Sequence, residues 1–126
     1  MKNVLVLLLI FINSAIGLAQ YAEFSFLNKT THKWEKTKEG KQLTHYFVFK
    51  NSSEVPLIIN DALVSCSCTS IDFPSDPILP NQKDSILVQF DTNQKYYLQD
   101  RKIKLIANTK KEEELRIKVY VIPKDE

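Results

Sequence analysis

The sequence predicts an all-β domain, an antiparallel immunoglobulin-like sandwich of about seven strands. Two observations carry that expectation. Apolar residues recur with a period of two and never hold the helical spacing over three turns, and turn-forming residues separate the runs at intervals of roughly 8–12 residues. Phe24 and Phe26 alternate with Glu23 and Ser25. His45, Phe47 and Phe49 share one face, opposite Thr44, Tyr46, Val48 and Lys50. Lys38-Glu39-Gly40-Lys41 precedes that strand and Asn51-Ser52-Ser53-Glu54 follows it. Pro56 then opens a run from Leu57 to Ser65. Pro74, Pro77 and Pro80-Asn81 break the middle of the chain, with Asn81 able to take the left-handed position of a turn after proline. Ile86, Val88 and Phe90 form the next inward row. The last two rows, Ile103-Leu105-Ala107 and Leu115-Ile117-Val119-Val121, are joined as a hairpin by residues 108–113.

Ahead of this domain, the first residues follow the order of a secretory leader. Lys2 gives a positive start, Val4 to Ile12 is an unbroken apolar run, and Gly17-Leu18-Ala19 offers a small-residue cleavage site before Gln20. The run is far short of the roughly 20 apolar residues that cross a bilayer. The expected organisation is a cleaved signal peptide over residues 1–19 and a single domain over 20–126, exported to the periplasm or secreted. No transmembrane segment is expected after cleavage. Removing 19 of the 126 residues leaves 107, enough for a core that does not depend on disulfides. Lys2 leaves with the leader, so the 17 basic residues fall to 16 against 15 acidic ones. So balanced a chain gives no reason to expect nucleic acid as a partner.

The residues of the domain also resemble a known family. Phe47-x-Phe49-x-Asn51 is followed by Pro56-Leu57-Ile58-Ile59, then by Ser65-Cys66-Ser67-Cys68-Thr69. Ile78-Leu79-Pro80-Asn81-Gln82, Ile86-x-Val88-x-Phe90-Asp91 and Ile103-x-Leu105-x-Ala107-Asn108 complete the order. This arrangement resembles the bacterial domain of unknown function 1573 family, exported immunoglobulin-like sandwiches related in shape to Hydin-type domains. The likeness covers most of residues 22–122, and Cys-x-Cys-Thr after Pro-Leu-x-Ile is its most specific element. The family has glycine between the cysteines and after the proline of the middle turn, where this chain carries Ser67 and Asn81. The resemblance implies a fold and assigns no activity.

Cys66-Ser67-Cys68 is the one motif with chemistry in it. In a straight strand, residues i and i+2 stand about 6.6–7 Å apart at Cα, beyond the usual disulfide range, so bridging them needs a bend. Four readings stand: small buried apolar cysteines, which is the first expectation; a tight local disulfide; a soft-metal site on two thiolates; and a redox pair. Further metal ligands are scarce, with His32 and His45 the only histidines. Redox catalysis ordinarily uses Cys-x-x-Cys at a helix start, which is absent here. His45 reads as a core or rim histidine, and His32 as an exposed residue in a turn-like stretch beside Trp34.

No nucleophile elbow, spaced histidine pair or carboxylate pair is present, so an enzyme is not expected, and no cofactor. Lys102, Lys104, Arg116 and Lys118 fall on one outer face, read as a solvated surface with Glu112-Glu113-Glu114 beside it. Tyr96, Tyr97 and Trp34 are the candidate interaction residues, with Tyr96-Tyr97 placed in a loop. Asp84-Ser85-Ile86 resembles a three-residue bacterial O-glycosylation signal, making Ser85 a candidate acceptor. The expected role is a structural or protein-binding module that contacts another envelope or secreted protein. The alternative is a small periplasmic metal-binding or thiol protein built on Cys66 and Cys68.

Overall fold

A computed structural model describes residues 20–126, and the expected leader lies outside these described residues. Nine strands follow one another: β1 (Phe24–Phe26), β2 (Thr31–Lys33), β3 (Thr37–Lys38), β4 (Gln42–Asn51), β5 (Ile59–Val64), β6 (Thr69–Asp72), β7 (Lys83–Asp91), β8 (Tyr97–Ala107) and β9 (Glu113–Ile122). They form two sheets. One has the order β1-β4-β7-β6; the other has the order β2-β9-β8-β5, with β3 also pairing β9.

The difference from the expected seven antiparallel strands lies in residues 27–38. After Phe26 the chain leaves β4 and crosses to the other sheet. There β2 and β3 run parallel to β9, Thr31 opposite Arg116 and Thr37 opposite Val121. The sequence reads as polar and turn-like here because two such short pieces hold too few residues to show a period of two. Every other strand pair is antiparallel.

The period-two rows become the core. Phe47 and Phe49 of β4 and Ile86, Val88 and Phe90 of β7 point inward from one sheet. Ile103 and Leu105 of β8 and Leu115, Ile117, Val119 and Val121 of β9 meet them from the other. Packing the two apolar faces removes both rows from water, the main favourable term for a domain of this size. Phe24 adds an edge-on ring to Phe49, with centroids 5.0 Å apart.

Two asparagines and a threonine fix the loops. Asn51 is fully buried, and its amide group donates 2.8 Å hydrogen bonds to the Val55 and Ile78 carbonyls. Its carbonyl oxygen accepts from the Ser53 amide and the Ser53 hydroxyl. Asn108 mirrors this from the other sheet, accepting from the Ile58 amide and donating to the Pro56 carbonyl. Residues 53–58 are thus held from both sides. At the opposite end, buried Thr92 accepts from the Lys41 amide and donates to the Lys41 carbonyl, both at 2.7 Å. That closes the turn in which Gly40 adopts φ 94°.

Candidate interaction surface and the cysteine turn

Cys66 and Cys68 do not lie on a straight strand. They stand in the turn from β5 to β6, where the chain passes from one sheet to the other. The turn shortens their Cα separation to 5.2 Å, and the two sulfurs are joined in a disulfide. The Thr69 amide donates to the Cys66 carbonyl, and the Asp91 amide to that of Cys68. Both residues are half-buried. Among the described residues no group of three or more His, Cys, Asp or Glu side chains is placed to hold a metal ion.

The tyrosines gather where the cysteines do not. Tyr97 is the first residue of β8 rather than part of a loop, and its backbone is left-handed at φ 62°. A bulky side chain rarely adopts that conformation. Leu98, the next residue, pairs with Tyr120 of β9 on the outer face of the five-stranded sheet. Tyr97 and Tyr120 meet edge to face at 6.1 Å, and Lys36 stands 5.0 Å over the Tyr120 ring. The Tyr97 hydroxyl donates to a Glu126 carboxylate oxygen at 2.9 Å, which raises the Tyr97 pKa. Leu98 is 64% exposed and Tyr96 49%, so water meets four large side chains in one place. Leu98 and Tyr120 carry no sequence motif. Leu98 follows Tyr97 directly in the chain, and the β8–β9 register brings Tyr120 beside them.

Trp34 stands apart from this patch. Its indole stacks on Phe90 at 6.4 Å and donates through Nε1 to the Thr44 carbonyl, 3.0 Å away. It covers part of the open side of β4, where β1 has already ended. Arg101 approaches Phe90 as well, its guanidinium 5.7 Å from the ring centroid. It also donates to the Asp100 carbonyl and the Gln99 side chain. His32 lies in β2, not in an exposed turn, and stacks on His45 of the facing sheet with centroids 3.6 Å apart.

The basic outer row is largely paired. Arg116 grips Asp100 through Nε and Nη2 at 2.7 and 2.6 Å, holding the Asp100 carboxyl below its usual pKa. Lys104 reaches Glu112 at 2.8 Å, and Lys102 lies 4.0 Å from Glu114. Exposed pairs of this kind contribute little stability, and they leave the face nearly neutral. Ser85 points outward from β7 beside Val48, half-buried, with its amide bound to the Asp84 carboxylate. It lines a shallow groove of about 480 Å³ with Tyr46, Phe73 and Leu87.

Residues 25–121 match the protein family described as "Protein of unknown function (DUF1573)". The chain belongs to that family. This DUF1573 chain has no match among curated proteins. Solved structures share its shape at low identity. A protein of unknown function from Porphyromonas gingivalis W83 superposes with a TM-score of 0.70 at 13% identity, over 86% of this chain and 50% of that one. The VesB protease of Vibrio cholerae gives 0.62 at 14% identity, over 80% of this chain and 32% of the protease. PapD-like domain 7 of human CEP192 gives 0.61 at 8% identity, over 87% of this chain and 96% of that domain. The chain therefore spans half of the Porphyromonas protein and about a third of the protease. Similarity at these identities establishes the fold alone.

The missing family glycines now have a local account. Asn81 takes the left-handed backbone, φ 65°, in a turn closed by the Gln82 amide donating to the Leu79 carbonyl at 2.9 Å. Pro80 and Asn81 are then the two central residues of a type II turn, in which asparagine can replace glycine. Ser67 is not among the described residues with positive φ, so the cysteine turn makes no demand for glycine in this DUF1573 chain.

Proposed function

We propose that this DUF1573 domain is an exported, non-catalytic binding module whose contact surface is the Tyr96-Tyr97-Leu98-Tyr120 patch. Its partner is another envelope or secreted protein, met in the periplasm or outside the cell. The observation that carries this reading is the exposed cluster itself, at the start of β8 and the end of β9, with Tyr97 in a left-handed backbone. Unfavourable backbone conformations persist where surrounding structure imposes them, and they gather at functional positions. Tyrosine presents a large amphipathic face that loses little conformational freedom on binding, and it is enriched among residues that dominate interface energy. Leu98 remains 64% exposed, an apolar area that folding leaves in water. The nearly neutral basic row beside the patch argues for shape and apolar contact over charge as the source of affinity.

The test is retrieval from the envelope fraction of a native host, comparing the wild-type domain with a Tyr96→Ala, Leu98→Ser, Tyr120→Ser variant. A partner retained by the wild type and reduced at least tenfold by the variant, at unchanged thermal stability, supports the reading. Equal retention by both proteins would overturn it, as would a wild-type domain that retains nothing.

A further inference from the structure

The two histidines of the chain are far apart in sequence and face each other across the sandwich. His32 belongs to β2 in the five-stranded sheet, where its register partner is Ile117, and His45 belongs to β4 in the four-stranded sheet, opposite Val88. Their rings are parallel within 8° and 3.6 Å apart at the centroids. The stack continues at both ends. Trp34 meets His32 edge-on at 5.2 Å, and Phe47 meets His45 edge-on at 4.6 Å. A run of four rings, Trp34-His32-His45-Phe47, therefore joins the short strand β2 to the flank of β4.

Beside the ring stack, that segment is held by the Trp34 contacts with Phe90 and the Thr44 carbonyl and by main-chain pairing to β9. β2 has three residues, and its neighbourhood is held to β9 by main-chain bonds such as Arg116 N to Thr30 O at 2.9 Å and Trp34 N to Lys118 O at 3.0 Å. The side of β4 that it covers has lost β1 beyond Phe49, leaving the Thr44 carbonyl to the Trp34 indole. The rings border a cleft of about 530 Å³ lined also by Leu27, Asn28, Lys29 and Thr31. No buried ring nitrogen is left unpartnered among the described residues.

We propose that the His32–His45 stack is a proton-operated latch that holds residues 28–36 against β4 when both rings are neutral and releases them when both are charged. Two neutral imidazoles stack favourably, whereas two imidazolium rings at this separation repel. The surroundings offer the charged form no relief. Lys29 is the charged residue of the cleft, and the neighbouring rings are uncharged. Lys33 on β2 and Arg116 and Lys118 on β9 alternate with His32 and Ile117 and so belong to the outer face, away from the rings. β7 presents Val88 to His45. No carboxylate lines the cleft. Burial lowers the pKa of both histidines, and for His45 the neighbouring His32 lowers it further.

A lowered pKa in the folded state sets the sign. The contribution of the pair is fully present above the ordinary histidine value of about 6.5 and is lost as pH falls below it. Release withdraws Trp34 from the Thr44 carbonyl and exposes the flank of β4, a row of main-chain groups that can pair with an added strand.

The experiment is amide hydrogen exchange on the exported, purified protein between pH 8 and pH 5, corrected for intrinsic exchange, together with NMR titration of the two imidazole ring protons. Protection of residues 28–36 should fall about tenfold for each pKa unit by which the folded rings lie under the unfolded ones, while β8 and β9 stay protected. The ring protons should titrate below 6.5, with the second proton added well below the first. His45→Phe keeps a ring under His32 and removes the second charge, so its exchange in 28–36 should lose most of the pH dependence. Ring protons titrating independently at the free-histidine value would overturn the latch. So would protection that does not fall, or that falls equally in His45→Phe. Should His45→Phe not fold, the wild-type ring titration alone decides.

Discussion

The two ends of the sandwich are built on opposite terms. At the end holding residues 53–58, Asn51 and Asn108 saturate every loop contact they make, and Asn51 is completely buried. At the other end, Tyr96, Tyr97 and Leu98 stand in water and Tyr97 has a left-handed backbone. A buried amide with all its bonds formed fixes one loop geometry, because removing it breaks several loop hydrogen bonds at once. An exposed tyrosine in a rare conformation contributes little to folding. The comparison teaches that in this domain hydrogen-bonded polar side chains fix the loops at one end, whereas the other end leaves large side chains in water.

The largest expected effect is at the core that both ends share. Phe90 is fully buried beneath Trp34 and Arg101. Phe90→Ala should cost about 4 kcal/mol in chemical denaturation, and a loss under 1 kcal/mol would show that the Trp34 end is loosely packed. Asn51→Ala comes next. It removes one of two donors from each of the Val55 and Ile78 carbonyls, takes the acceptor from the Ser53 amide and empties a fully buried site, and should cost about 3 kcal/mol, lowering Tm by roughly 10–15 °C. A near-neutral result would break the contrast between the ends. The Cys66→Ser, Cys68→Ser double variant should lose only about 1–2 kcal/mol, since a bridge across two residues removes little chain entropy from the unfolded state. A drop comparable with that of Asn51→Ala would make the disulfide a principal support. Tyr97→Gly should change stability by less than about 1 kcal/mol, the relief of positive φ offsetting the lost Tyr120 and Glu126 contacts. A clear gain in stability accompanied by lost partner retention would sharpen the case that the conformation serves binding.

Several features were legible in the residues themselves. Alternating rows such as Phe47-Phe49 and Ile117-Val119-Val121 identified the strands and their inward faces, because a strand places every second side chain on one side whatever its partners. Pro80-Asn81 announced its turn, since proline sets φ and asparagine tolerates the left-handed position that follows. The motif that runs from Phe47 through Asn108 marked the family before any contact was known.

Tertiary structure decided the rest. The parallel course of β2 and β3 along β9, the stack of His32 on His45, and the joining of Tyr120 to Tyr97 and Leu98 depend on strand order and register. Residues 13 positions apart, like His32 and His45, carry no local signal that they will meet across two sheets. The cysteine geometry also waited on the fold. Spacing in a straight strand kept the two sulfurs apart, and the crossover turn between sheets brought them together. A sequence thus determines which side of a strand faces inward, since that follows from the pleat alone. Which strands lie side by side, and so which side chains share a surface, is set only when the two sheets pack.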